Sequence, residues 1–127
     1  DKLPNIKQKR ILIIHPVEGA RNAMLKFLKK AKKVDAFDTF DEGIKAAKEY
    51  KEWSEQSAYD ILFIRLYENN EEETMKVVLE LREINGNNDL VIIFIVFPGN
   101  EGIGLAKKII KTVGGITSVI HTPVTWK

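Results

Sequence analysis

The sequence contains no cysteine, which excludes disulfide bonds and thiolate metal sites. It also lacks long apolar runs, because the longest, residues 90–97, is far shorter than the roughly 20 residues of a membrane-spanning helix. No signal peptide is visible, and the chain begins at Asp1 rather than Met, which suggests an excised or trimmed domain. We therefore expect a cytoplasmic domain that makes no membrane contact of its own.

Histidine is scarce as well. His15 and His121 are too few for a metal cluster unless carboxylates contribute. The net charge of +2 is small, but the charges are segregated, with lysines concentrated in residues 26–33 and glutamates in residues 68–73. Because no aromatic-rich face accompanies the basic run, we predict no nucleic-acid binding.

A chain of 127 residues predicts one domain over 1–127, with 1–9 as an N-terminal tail or linker. Continuous apolar runs predict strands at 10–15, 34–37, 59–67, 90–97 and 116–121. Amphipathic periodicity predicts four intervening helices. The first carries Phe27 on its apolar face, the second has Asp41 as its N-cap, the third carries Leu79 on its apolar face, and the fourth covers 103–113.

The order of these elements is β-α-β-α-β-α-β-α-β. Strands that are apolar throughout indicate a parallel sheet covered on both faces, and right-handed crossovers then give a doubly wound α/β sandwich. Few residues follow Pro123, so a fifth helix is predicted to be missing or truncated and one face to be half bare. An early stop of the chain, a disordered tail and a covering partner are all compatible with this pattern.

The loops after the predicted strands lack the common nucleotide-binding motifs. A dinucleotide site needs glycines directly after the first strand, where this chain has His15 and Pro16 with Gly19 further on. No Gly-Lys-Ser/Thr triplet exists, so there is no P-loop. Nucleophilic catalysis needs Ser, Cys or Thr beside a base, and no serine has a histidine nearby in sequence. We therefore predict that the domain is not an enzyme.

Four segments together carry a family resemblance. They are KRILIIHPVEGARNAMLKFLKK, AYDILFIRLYEN, LVIIFIVFPG and AKKIIKTVGGITSVIHTPV. They are similar, in this order, to the first strand and helix, the third strand, the fourth strand and the C-terminal part of the receiver domain of two-component response regulators. The resemblance implies a flavodoxin-like (CheY-like) fold, in which five parallel strands have the order 2-1-3-4-5.

Receivers phosphorylate themselves on an Asp at the end of strand 3. They use two acids after strand 1 to hold Mg²⁺, a Ser or Thr at the end of strand 4, and a Lys after strand 5, because the charge of the transferred group must be stabilised. The corresponding positions of this sequence are His15 and Pro16, Arg65, Ile95 or Val96, and Thr122. The resemblance therefore implies a degenerate, pseudo-receiver type, which has neither a catalytic residue nor a Mg²⁺ site or other cofactor.

Two interpretations of Arg65 are open at this stage. Its guanidinium either pairs with Glu18 or Glu68 and maintains one phosphate-independent conformation, or is an exposed group that is tolerated after the site decayed. For His15 the alternatives are a polar residue that closes a strand and one wall of a metal-free pocket beside Arg65.

The predicted function is that of a phosphorylation-independent receiver-like domain, a protein-interaction and regulatory module of a signalling protein such as a hybrid histidine kinase. The expected partner is a histidine kinase or another domain of the same chain. The expected contact surfaces are the lysine-rich first helix and the face formed by the helix over 103–113 and the last strand, which is also the expected homodimer face. The alternative is a sensor that binds a small molecule or anion at the strand ends near His15, Arg65 and Thr122.

Overall fold

The computed structural model describes residues 6–53, 59–66, 71–85, 90–96 and 117–121, together with positions 104, 107, 108 and 111. The strands are β1 (Arg10–Ile14), β2 (Lys33–Phe37), β3 (Ile61–Arg65), β4 (Val91–Val96) and β5 (Thr117–His121). The helices are α1 (Glu18–Phe27), α2 (Phe40–Trp53) and α3 (Glu71–Asn85), and a short 3₁₀ helix, Ile6–Gln8, precedes β1.

All five strands lie in one parallel sheet with the order β2-β1-β3-β4-β5. The predicted strand order and the α/β class are confirmed. The register pairs Ile14 of β1 with Ile64 of β3, and Arg65 of β3 with Ile95 of β4. The carboxyl ends of the central strands therefore lie at the same edge of the sheet.

The core consists of two apolar layers, one on each face of the sheet. The larger layer packs β1, β3 and β4 against α2 and α3, and includes Leu12, Ile14, Leu62, Ile64 and Phe94. The smaller layer packs the other face against α1, and includes Ile11, Ile13, Met24, Leu28 and Phe63. Because successive side chains of a strand point to opposite faces, β1 and β3 contribute to both layers and carry almost no polar residues.

Phe27 does not lie on the buried face of α1, contrary to the sequence prediction. Its side chain is 71% exposed, whereas Ala20, Met24 and Leu28 are buried. These three residues form one row at i, i+4 and i+8, which is the row that faces the sheet. The helix ends at Phe27, and the chain turns at Leu28, whose carbonyl accepts a hydrogen bond from the Ala31 N–H at 2.9 Å.

Leu79 is the second residue whose predicted face is wrong, with 47% of it exposed. The buried row of α3 is formed by Thr74, Val77, Val78, Leu81 and Arg82. Their spacing of i, i+3, i+4, i+7 and i+8 is that of a helix packed on a sheet, and it leaves position 79 on the outer side.

The predicted N-cap of α2 is also one register out. The helix begins at Phe40, and the Thr39 hydroxyl accepts the hydrogen bond from the Glu42 N–H at 3.2 Å. Thr39 and Glu42 have the spacing of a capping box, and Asp41 lies inside the first turn, where its charge suits the helix dipole.

At the amino terminus, residues 6–8 of the predicted tail are helical, and the Lys9 carbonyl accepts a hydrogen bond from the Lys32 N–H at 2.9 Å. Of the helix predicted over 103–113, positions 104, 107, 108 and 111 are described and are helical. Residues 122–127, on which the predicted absence of a fifth helix depends, lie outside the described residues. No helix in the described part of the chain combines the length and hydropathy needed to cross a bilayer.

Candidate functional site

The carboxyl edge of the sheet brings two of the predicted site residues together. Since Ile14 pairs with Ile64, the next residues, His15 and Arg65, lie side by side at the ends of adjacent strands. Val96 ends β4 and pairs with His121 of β5. Pro16 is exposed in the loop before α1, and Thr122 lies outside the described residues.

The alternation of side chains along the strands decides which of these residues share a face. Ile13 and Phe63 belong to the apolar layer under α1, so His15 and Arg65, two residues further along each strand, point to the same side. Val96 belongs to the opposite layer, under α2 and α3. The structure therefore groups His15 with Arg65 and separates Val96 from them.

Arg65 is buried, with an exposed fraction of 3%, so its interpretation as an exposed edge residue is wrong. Its Nη1 atom donates hydrogen bonds to the Leu66 carbonyl at 2.6 Å and to the Ile95 carbonyl at 2.9 Å. The predicted partner Glu18 is exposed and makes no ion pair with another described residue, whereas Glu68 lies outside the described residues. The guanidinium thus joins the ends of β3 and β4 through their backbone.

His15 is fixed by three hydrogen bonds. Its N–H donates to the Phe37 carbonyl at 3.0 Å, its carbonyl accepts from the Arg21 guanidinium at 2.8 Å, and its Nδ1 accepts from the Val17 N–H at 3.1 Å. Burial of the ring, followed by the charges of Arg65 and Arg21, lowers its pKa from 6.5 to about 4. The imidazole is therefore neutral at physiological pH, and its low basicity does not suit general-base catalysis there.

The residues at this edge do not fit a magnesium ion. Mg²⁺ takes oxygen ligands, chiefly carboxylates and water, whereas Pro16 offers no side-chain ligand and Arg65 is a cation. A neutral imidazole such as that of His15 suits softer metals. In the part of the chain that is described, no three His, Asp or Glu side chains lie close enough to hold a metal ion.

Comparisons with known proteins bear on the fold. Among solved structures, the chain is similar to an Asp-to-Ala variant of the receiver domain of the histidine kinase CKI1 from Arabidopsis thaliana, with 18% identity, a TM-score of 0.67, and coverage of 91% of this chain and 82% of that chain. The fold is that of a receiver domain. A pilus assembly-related protein from Burkholderia pseudomallei is also similar, with 12% identity, a TM-score of 0.62, and coverage of 99% and 87%. No protein-family model matches the chain, and no curated protein matches it.

One contributor to this receiver-like edge, Arg21, was not predicted from the sequence. It lies in the first turns of α1, and its side chain reaches back to the backbone at the end of β1. No sequence signal distinguishes it from the other basic residues, because its role depends on how α1 packs on the sheet. Its charge adds to that of Arg65, so both charges that lower the pKa of His15 are positive.

The Tyr-Asp pair that contributed to the family resemblance has a structural role at the opposite, amino edge of the sheet. Asp60 accepts hydrogen bonds from the Arg10 backbone N–H at 2.8 Å and from its guanidinium Nε at 3.1 Å. Burial would raise the pKa of Asp60, but these bonds and the charge of Arg10 lower it. Tyr59 donates its hydroxyl hydrogen bond to Asp35. These contacts join the starts of β1, β2 and β3 and do not contribute to the candidate site.

Proposed function

We propose that the chain is a phosphorylation-independent receiver-like domain, which acts as a regulatory and protein-interaction module of a two-component signalling protein and not as an enzyme. The observation that carries this proposal is Arg65. The buried end of β3 in this receiver-like fold presents a guanidinium that is hydrogen-bonded to backbone carbonyls. A guanidinium offers no carboxylate that could accept a phosphoryl group.

The contacts of Arg65 also support a single conformation at this edge. Its Nη1 atom bridges the carbonyls of Leu66 and Ile95, and a buried charged donor that loses such acceptors is costly. Receiver switching requires that the strand ends rearrange in response to a phosphoryl group, whereas here the arrangement is held by a permanent charge.

The described surface that best suits a partner is the C-terminal end of α1. Phe27 is 71% exposed, and it lies among Lys26, Lys29 and Lys30, which are exposed and form no ion pair with other described residues. An exposed aromatic residue among unpaired cations suits a partner surface that combines an apolar pocket with acidic side chains. The second expected surface, around 103–113 and β5, falls largely outside the described side chains.

Phosphorylation independence is tested by incubation with acetyl phosphate and Mg²⁺, followed by intact mass measurement, with a phosphorylatable receiver as the positive control. We expect no gain of a phosphoryl group in this chain. We also expect the amide spectrum to be unchanged by beryllofluoride and Mg²⁺, which imitate the phosphorylated state. A phosphoryl gain, or a beryllofluoride-dependent change in the amides of β3 and β4, would contradict the proposal.

The interaction surface is tested by the variant Phe27→Ser, which removes the exposed ring without disturbing the core. Binding is measured against a histidine kinase encoded in the same gene or operon, and we expect affinity to fall about tenfold. The matched control is Leu79→Ser, which removes an exposed apolar side chain from α3. Equal effects of the two variants, or none for Phe27→Ser, would exclude this surface.

A further inference from the structure

The hydrogen bonds of His15 determine which of its ring nitrogens carries the proton. Nδ1 accepts a hydrogen bond from the Val17 N–H at 3.1 Å, so it is unprotonated, and the neutral ring carries its proton on Nε2. The ring is buried, with an exposed fraction of 2%, and no acceptor for Nε2 exists among the described residues. A buried N–H group without an acceptor is unfavourable, so this donor calls for an acceptor that the described part of the chain does not supply.

The surroundings of this donor are positively charged. Arg65 lies beside His15 on the same face of the sheet, and Arg21 donates its hydrogen bond to the His15 carbonyl. The two carbonyls that accept from Arg65 hold its guanidinium in place but neutralise no charge. The nearest acidic residue in sequence, Glu18, is exposed and forms no ion pair in the described part of the chain.

We propose that the His15–Arg65 edge binds a small oxyanion, with phosphate as the representative ligand. His15 donates from Nε2, and the Arg65 guanidinium supplies the opposite charge together with further N–H donors. The anion approaches from the carboxyl edge, past the exposed residues Pro16 and Val17. This inference goes beyond the proposed function, because a domain that is never phosphorylated is able to bind a free anion, and either property exists without the other.

The first test is a titration of the unaltered protein with inorganic phosphate at constant ionic strength, followed through the imidazole NMR signals. The chain has two histidines, so one substitution of His121 assigns both. We expect a saturable shift of the His15 ring signals with phosphate, a weaker one with acetate, and none with chloride. Absence of a saturable phosphate-dependent shift at His15 would overturn the proposal.

The second test uses variants, with thermal stabilisation by phosphate as the readout. Arg65→Met removes the charge and is expected to abolish the stabilisation, whereas Arg65→Lys keeps the charge without the planar fork and is expected to weaken binding about tenfold. His15→Asn keeps an acceptor for the Val17 N–H but loses the donor at Nε2, so about tenfold weaker binding is expected.

The matched control is Lys30→Met, which removes one exposed positive charge from the turn between α1 and β2, at the amino edge of the sheet. It is expected to leave phosphate binding unchanged. If Lys30→Met weakens binding as much as Arg65→Met, the anion is attracted diffusely by the basic surface and the proposal is wrong. If Arg65→Met does not fold, His15→Asn and the titration of the unaltered protein still decide the question.

Discussion

The stability of the domain is expected to depend on pH through His15. Burial of its ring, followed by the charges of Arg65 and Arg21, lowers its pKa from 6.5 to about 4. Between these values the unfolded chain binds a proton that the folded chain does not, so the free energy of unfolding falls as the pH drops through this window. The expected loss at the lower end is roughly 3 kcal/mol.

Urea unfolding at a series of pH values measures this dependence. The variant His15→Asn cannot titrate in this range, and it keeps an acceptor for the Val17 N–H, so its profile isolates the contribution of the ring. We expect the difference between the two profiles to grow from pH 6.5 down to 4. Profiles that run parallel over this window would show that His15 is not held neutral in the folded state.

At the scale of single residues, the sequence predicts where the side chains lie along the strands but not what surrounds them. The adjacency of His15 and Arg65 follows from two strand ends in a parallel sheet, and the structure has this register. The burial of Arg65 and the reach of Arg21 depend on how loops and α1 pack at the edge, and no local pattern encodes that packing. The roles inferred for these residues remain predictions.

At the scale of elements, α2 approaches β1 closely enough that one position requires glycine. A Cβ at Gly43 would lie 2.5 Å from Ile14 Cδ1 and 2.8 Å from its Cγ1. The Ile14 side chain is buried in the larger apolar layer, so it has little room to move. Gly43→Ala gains helix propensity but overpacks this contact, and we expect a net loss of about 1 kcal/mol.

A double-mutant cycle separates this contact from a general effect on α2. Ile14→Val removes Cδ1 and costs about 1 kcal/mol on its own, through lost apolar burial. In combination with Gly43→Ala the total loss is expected to be smaller than the sum, because the added methyl group occupies part of the vacated space. Chemical unfolding of the four proteins measures the coupling, and strict additivity would contradict the proposed contact.

The boundaries of elements show a similar division between pattern and packing. The helix starting near residue 40 is evident from its periodicity, yet Thr39 and Asp41 are both good cap residues. The structure uses Thr39, whose hydroxyl reaches the Glu42 N–H. Phe27 and Leu79 fit the apolar period of their helices as well as several buried residues do. Which row faces the sheet depends on the crossing of helix and sheet, and that crossing is a tertiary property.

For the whole molecule, the alternation of apolar strands and amphipathic helices is sufficient to predict the strand order. Only a covered parallel sheet satisfies strands as apolar as Ile11–Ile14 and Ile61–Ile64, and right-handed crossovers then leave few topologies. The same physics makes the molecule uneven in stability. The central strands are buried on both faces, whereas β2 lies at the edge of the sheet and is half-buried along its whole length.

Amide hydrogen exchange is expected to reveal this gradient. The amides of β1, β3 and β4 that are bonded within the sheet are predicted to exchange through global unfolding, because no smaller opening exposes them. The amides of β2 pair with β1 alone, so local detachment of this edge strand is expected to expose them sooner. Low concentrations of urea should therefore accelerate exchange in the central strands while leaving β2 nearly unaffected. Uniform urea dependence across β2 and β3 would mean that the sheet opens as one cooperative unit.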